Sequence, residues 1–108
     1  MILVATPARL STPRALLDAN ARLARSLRYH GAMERRLYLN EQPRSSRKYE
    51  PNARARNELI GRFLRPWHTW VLWLDVDIVF APENLIYTLL DVVIRHGGEA
   101  GGNAIAAP

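Results

Sequence analysis

The sequence predicts an α/β fold, an open and mostly parallel sheet with helices on both faces. Apolar β-rich runs alternate with stretches of helical periodicity, in the order strand, helix, strand, helix, strand, helix, strand. The run "TWVLWL" is apolar without alternation, which is typical of a strand covered on both faces. With 48% apolar residues, the 108-residue chain can bury a core, so we expect one domain over residues 1–108.

The first strand and helix are predicted near the amino terminus. Ile2–Thr6 is a short apolar strand closed by Pro7. The helix after it begins at Pro13, with Thr12 as its cap, because proline suits the first helical position. Its apolar residues recur at helical spacing: Leu16, Leu17, Leu23, Ala24 and Leu27.

The second strand is expected around Arg36–Asn40 and ends before Pro43. A polar, basic segment then reads as a loop, and a second helix begins at about Asn52 and ends at Pro66. The third strand is Thr69–Leu74.

Pro82 opens the predicted third helix, and His96 with Gly97 closes it. The final "AIAAP" is typical of the start of a fourth strand. No run is long enough to span a membrane, and the start lacks the features of a signal peptide, so a complete chain would be soluble and cytoplasmic.

The charge favours binding of a small anion. The net charge is +5, and Lys48 is the only lysine among 15 basic residues; guanidinium groups bind phosphate through paired hydrogen bonds. One short segment holds Arg44, Arg47, Lys48, Arg54 and Arg56. Aromatic residues barely interleave with this cluster, so a site for one or two phosphates is favoured over a nucleic-acid surface. The absence of cysteine excludes disulfides and thiolate metal sites.

Two carboxylates, Asp75 and Asp77, follow the third strand. Ligands of open α/β sheets bind beyond the carboxyl ends of the strands, where Thr6, Asn40 and Glu41 are also expected. If the backbone stays extended, the two aspartates point the same way and can hold Mg²⁺ or Mn²⁺. The alternative is that they cap a strand-to-helix turn in water.

The same residues fit a second motif. "DVDIV" matches the DxDx[TV] signature of haloacid-dehalogenase-like phosphatases, in which Asp75 would be the nucleophile and Asp77 the acid/base. That motif usually follows the first strand of its fold, whereas two predicted strands precede it here. Too little chain follows to supply the later motifs of that family.

The stretch "ARARNELIGRFLRPWHTWVLWLDVDIVFAPENLI" resembles a glycosyltransferase of the GT-A fold. "ARN" (Ala55–Asn57) about twenty residues before a strand ending in DxD is widespread in those enzymes. The "ARARN" helix, the "W-V-x-W" strand and the "DVD" triplet are most similar to the fungal mannan-polymerase subunits, the Anp/Van mannosyltransferases. The resemblance covers residues 52–108 well, residues 2–27 in outline and residues 28–50 poorly.

The resemblance implies a metal-assisted donor site. Asp77 would ligate Mn²⁺ (or Mg²⁺) that bridges the diphosphate of a nucleotide sugar, and Asp75 would contact ribose or metal. The implied donor is GDP-mannose, and the implied reaction transfers mannose to a mannose acceptor with retention. The implied partners are the donor, a glycan acceptor and other glycosyltransferase subunits, not a nucleic acid.

The remaining donor contacts are also carried over from the resemblance. Thr6 and Pro7 would lie against the base, and Glu41 would touch base or ribose. Three residues of the second helix would lie near the phosphates or orient the DxD loop, and these are Arg54, Arg56 and Asn57.

This chain departs from the fungal proteins in three ways. Leu74 stands where they often have a basic residue, no membrane anchor precedes the first strand, and the chain stops where the acceptor-binding half would begin. A fragment of such a protein would belong in the Golgi lumen. A non-catalytic docking subunit is the alternative from another class. His68 is interpreted as a surface or packing residue, and the three tryptophans are interpreted as packing residues: Trp67, Trp70 and Trp73.

Overall fold

The computed structural model describes residues 1–39 and 50–95. Six elements follow one another: β1 (Ile2–Ala8), α1 (Arg14–Ser26), β2 (Met33–Leu39), α2 (Glu50–Phe63), β3 (Trp70–Trp73) and α3 (Leu85–Arg95). The three strands form one sheet in the order β2-β1-β3, and both pairings are parallel. The predicted α/β class is therefore confirmed.

The two faces of the sheet are covered by different helices. Ile2 and Val4 of β1 pack on one face with residues of α1 and α3. Leu3 and Ala5 pack on the other face with Leu59 of α2. This alternation follows from the two-residue period of a strand, and it explains why β1 is apolar at every position from Ile2 to Ala5.

β1 is longer than predicted, because Pro7 does not end it. The carbonyl of Ala5 accepts from Leu74, so Ala5 directs its polar groups towards β3, and by alternation so does Pro7. β3 is paired with β1 only as far as Trp73, opposite Ala5. The missing N–H of proline therefore falls where no strand needs it, and Thr6 lies inside β1 instead of after it.

The helix and strand ends differ from the predicted ones by a few residues. Pro13 stands in the capping position of α1, and no side chain caps the helix, so the prediction that Thr12 caps it was wrong. α3 begins at Leu85, one turn after Pro82, whose carbonyl accepts from the Leu85 N–H. The predicted fourth strand at residues 104–108 lies outside the described residues.

The chain between β3 and α3 runs alongside α1. Asn20 of α1 contacts Asp75 and Ile78, and the N–H of Arg28, just past the end of α1, donates to the carbonyl of Glu83. The segment after β3 is therefore hydrogen-bonded to α1 at Asn20 and to the chain just past α1 at Arg28. None of the helices in the described ranges is both long and apolar enough to cross a membrane.

Candidate donor-binding site

Asp75 and Asp77 lie in a tight turn directly after β3. The buried Leu74 donates its N–H to Ala5 at 2.9 Å, and the Ile78 N–H donates to the Asp75 carbonyl at 3.0 Å. The second bond closes a four-residue turn, Asp75–Ile78, here called the aspartate turn. Aspartate is favoured at the first position of such turns and is a poor strand residue. The condition under which the two aspartates would point the same way, a backbone that stays extended through Asp77, is therefore not met.

The two carboxylates differ in their surroundings. Asp75 is half exposed, and its Oδ1 lies 3.2 Å from Nη2 of Arg56. Asp77 is exposed and makes no hydrogen bond or ion pair within residues 1–39 and 50–95. The turn thus presents one carboxylate that is partly neutralised and one that is open to solvent.

The residues present fit a divalent cation only if other groups complete its ligand set. Among the described residues, no cluster of three or more histidine or acidic side chains could hold a metal ion. Mg²⁺, however, is commonly held by one or two carboxylates together with substrate phosphates and water. The two aspartates of the aspartate turn supply that number of carboxylates.

Arg56 joins α2 to the aspartate turn. Its guanidinium lies over the ring of Trp73, 5.1 Å from the centroid, while it reaches Asp75. Leu59, fully buried one helical turn later, fixes α2 against β1. An arginine stacked on a ring is held in place, so its remaining N–H groups are positioned near the carboxyl end of β3.

Two other residues of α2 were predicted to belong to the site. Arg54 and Asn57 occupy exposed positions of the helix. The structure thus brings Arg56 to the aspartate turn, and it places Arg54 and Asn57 on the surface of the same helix. Glu41, Asn40 and the basic residues Arg44, Arg47 and Lys48 lie outside the described residues.

Thr6 and Pro7 lie at the carboxyl end of β1. Thr6 is 0% exposed, and its hydroxyl has no hydrogen-bond partner among the described residues; Pro7 is half-buried. Thr6 shares the face of Val4, towards α1, because the two are separated by one residue. Their predicted contact with a base stays a prediction.

Asn20 is a functional candidate that the sequence reasoning missed. It is 0% exposed, and its Nδ2 donates to the carbonyls of Asp75 at 3.0 Å and Ile78 at 3.2 Å. Its Oδ1 accepts from Nη2 of Arg35 at 3.2 Å. A signal was present in the sequence: Asn20 falls three residues before Leu23 and three after Leu17, on the apolar face of α1.

Arg35 of β2 contacts Asn20 on the face of the sheet that α1 covers. Burial lowers the pKa of its guanidinium, and the nearby charge of Arg25 lowers it further. Its Nε is buried without a partner among the described residues. Arg35 is half-buried, and the buried part of a guanidinium is costly unless its N–H groups are satisfied, so the bond to Asn20 matters to both residues.

His68 is a packing residue at the opposite end of β3. Its side chain is fully buried, Nδ1 accepts from the Arg65 N–H at 2.9 Å, and Nε2 lies 3.0 Å from Glu34. Because Nδ1 accepts, the ring proton is on Nε2 and is donated to Glu34. Trp70 packs on the α1/α3 face, while Trp67 is 57% exposed, so only Trp67 departs from the packing interpretation.

Comparisons with known proteins match the half of the chain that carries the aspartate turn. A family model described as Anp1 matches residues 31–94. That span runs from just before β2 through α2, β3 and the turn, and ends one residue before the end of α3. It does not include β1 or α1.

Three curated relatives are similar over shorter stretches. The mannan polymerase II complex anp1 subunit of Schizosaccharomyces pombe is 46% identical over 44 residues, which cover 41% of this chain and 9% of that protein. The mannan polymerase I complex VAN1 subunit of Saccharomyces cerevisiae is 40% identical over 48 residues, covering 41% and 9%. The mannan polymerase complex subunit mnn9 of S. pombe is 49% identical over 39 residues, covering 36% and 12%.

The chain therefore spans only about a tenth of the length of these relatives. No solved structure matches.

Proposed function

Because the chain belongs to the Anp1 family, we propose that it is the nucleotide-sugar-binding portion of a mannosyltransferase that works with other glycosyltransferase subunits. The relatives are named as subunits of mannan polymerase complexes, which supports both the sugar and the assembly. The observation that carries the proposal is the aspartate turn with Arg56 at the carboxyl end of β3, where ligands of α/β sheets bind. The family match also favours this interpretation over the phosphatase one.

The donor in this proposal is GDP-mannose, bound with Mn²⁺ or Mg²⁺. Asp77, exposed and unpaired among the described residues, is the first ligand of the metal, and Asp75 offers the oxygen that Arg56 does not contact. When bound, the metal would supply Lewis-acid stabilisation of the departing diphosphate. Arg56 adds a fixed positive charge beside the same phosphates, and its stacking on Trp73 limits the entropy lost on binding.

Titration calorimetry with GDP tests the donor site. We expect GDP to bind weakly with Mn²⁺ and not measurably without it, because the two carboxylates repel a diphosphate that lacks a metal. Asp77→Ala should abolish the metal dependence. Asp91→Ala is the matched control, since it removes one exposed aspartate that is paired with Arg95 on α3, away from the turn.

Two results would count against the donor site. One is GDP binding by the folded wild-type chain that is the same with and without Mn²⁺. The other is an Asp77→Ala titration that matches that of the wild type.

A non-catalytic docking role is the second candidate, and one observation favours it. Val79 and Phe80 follow the aspartate turn directly and are 47% and 87% exposed, which is unusual for adjacent apolar side chains. A docking module would co-purify with a second mannan-polymerase-type subunit and show no metal-dependent GDP binding. Replacing Phe80 by Ser should then weaken the assembly, whereas the donor-site proposal expects GDP binding to survive that change.

A further inference from the structure

We propose that Asn20 is the positioning residue of the aspartate turn, holding Asp75 and Asp77 in the geometry that binds a ligand. The identity of that ligand rests on the proposed function. Asn20 is 0% exposed in the middle of α1, where an unpaired amide would be costly to bury. All the described hydrogen bonds of its side chain are made with the turn or with Arg35.

The orientation of the amide follows from its partners. Arg35 has only donors, so the atom of Asn20 that faces it must be the oxygen. The NH₂ group then faces the carbonyls of Asp75 and Ile78, which only accept, and both of its hydrogens are used. A flipped amide would set oxygen against both carbonyls, so Arg35 fixes which way Asn20 points.

The two carbonyls belong to the first and last residues of the turn. One amide therefore holds both ends, in addition to the bond from Ile78 to Asp75 that closes the turn. Asp77, between them, has no contact of its own among the described residues, so its position depends on the backbone. A site fixed in this way loses less conformational entropy when a ligand binds.

Asn20→Asp is the sharpest test, because it keeps the shape and the acceptor for Arg35 while replacing the donating NH₂ by an oxygen. Amide hydrogen exchange of the 108-residue chain gives the first readout. Losing this donor should speed exchange of the Ile78 N–H about tenfold relative to that of Leu74. The Leu74 N–H is bonded to Ala5 and serves as the internal reference, because general destabilisation speeds both amides.

The second readout is the affinity for GDP in the presence of Mn²⁺. We expect Asn20→Asp to weaken it about tenfold, because the two hydrogen bonds that Nδ2 donates to the turn are lost. Val93→Ala, a core change in α3, is the control, and it should lower stability. The ratio of the Ile78 to the Leu74 exchange rate, here called the exchange ratio, and the affinity for GDP should both stay within twofold of the wild type. If Asn20→Asp does not fold, the smaller and uncharged Asn20→Ser is measured in the same way.

The outcomes separate this inference from the proposed function. An unchanged exchange ratio overturns the positioning role, and so does a changed ratio with unchanged affinity. A wild-type chain that exchanges as expected but does not bind GDP with Mn²⁺ overturns the donor site instead, while the exchange ratio in Asn20→Asp still decides whether Asn20 holds the turn.

Discussion

Glu34 is held between two basic side chains at the amino end of the sheet. Its Oε1 accepts from Arg36 at 2.7 Å, and its Oε2 accepts from the buried ring of His68 at 3.0 Å. The hydrogen bond from Arg36 lowers the pKa of this carboxyl most, and the bond from His68 lowers it further. This cluster lies at the start of β2 and β3, away from the aspartate turn, so its effect should be on stability.

Stability should therefore fall in acid through Glu34. Its pKa in the folded chain lies below the ordinary 4.5, so the contribution is fully present above that pH and is lost as the pH falls through the lowered value. We expect the unfolding free energies of wild type and Glu34→Gln to differ by a constant amount at neutral pH, and to converge in acid. Urea unfolding at a series of pH values measures this.

Arg36→Met provides the second comparison for Glu34. It removes the larger cause of the lowered pKa of Glu34. In a chain that carries Arg36→Met, the change in unfolding free energy caused by Glu34→Gln should therefore depend less on pH. A difference between wild type and Glu34→Gln that stays constant down to about pH 2 would show that the carboxylate is not linked to folding.

At the scale of elements, Leu59 is the fully buried side chain of α2 among residues 53–63, whose burial the structure describes. Leu59 is 0% exposed and packs with Leu3 and Ala5, while Tyr38, Phe63, Val71 and Trp73 surround this small cluster. The other face of the sheet has a larger core, supplied by both α1 and α3. α2 therefore depends on Leu59 more than α1 depends on any one of its leucines.

Leu59→Ala should cost about 2–5 kcal/mol of unfolding free energy, the range measured for buried leucine truncations. Leu64→Ala, just past the end of α2 and 38% exposed, is the matched control and should cost less than about 1 kcal/mol. Denaturant unfolding monitored by tryptophan fluorescence measures both. Equal losses for the two variants would show that the α2 face of the sheet is not packed as described.

The elements themselves could be predicted because their patterns are local. The leucine spacing of α1, the apolar run of β3 and the periodicity of α3 each identify an element without knowledge of the rest of the fold. Ends were less predictable: Pro7 stays within β1 only because β3 stops opposite Ala5, which depends on the pairing of distant strands.

The site was predictable in its parts and not in its geometry. Asp75, Asp77 and Arg56 were identified from short motifs, and the structure brings Arg56 to Asp75. The turn that carries the two carboxylates is hydrogen-bonded by Asn20, which lies 55 residues before Asp75 in the chain. Hydrogen bonds between such distant residues leave only a weak trace in the sequence, here a polar residue on an apolar helix face.

At the scale of the whole molecule, the positive charge of residues 1–39 and 50–95 is dispersed. Arginines in the described ranges pair with acids on several elements: Arg14 with Asp18, Arg28 with Glu83, Arg36 with Glu34, Arg56 with Asp75, and Arg95 with Asp91. Arg36 and Arg62 also lie over the rings of Phe63 and Tyr38. In this part of the chain, the paired and scattered guanidinium groups do not form the continuous basic stripe that follows a nucleic-acid backbone.

Salt dependence should therefore distinguish a donor site from a nucleic-acid surface. A single strand held at about six phosphates would lose affinity with a slope near −4 in a plot of log K against log salt, and would be indifferent to Mn²⁺. GDP offers two phosphates, and its binding through the aspartate turn requires the metal. We expect GDP affinity in Mn²⁺ to change with a slope shallower than about −2 between 50 and 200 mM NaCl. A single-stranded RNA that binds more tightly than GDP at 200 mM NaCl, with or without Mn²⁺, would assign the +5 charge to nucleic-acid binding instead.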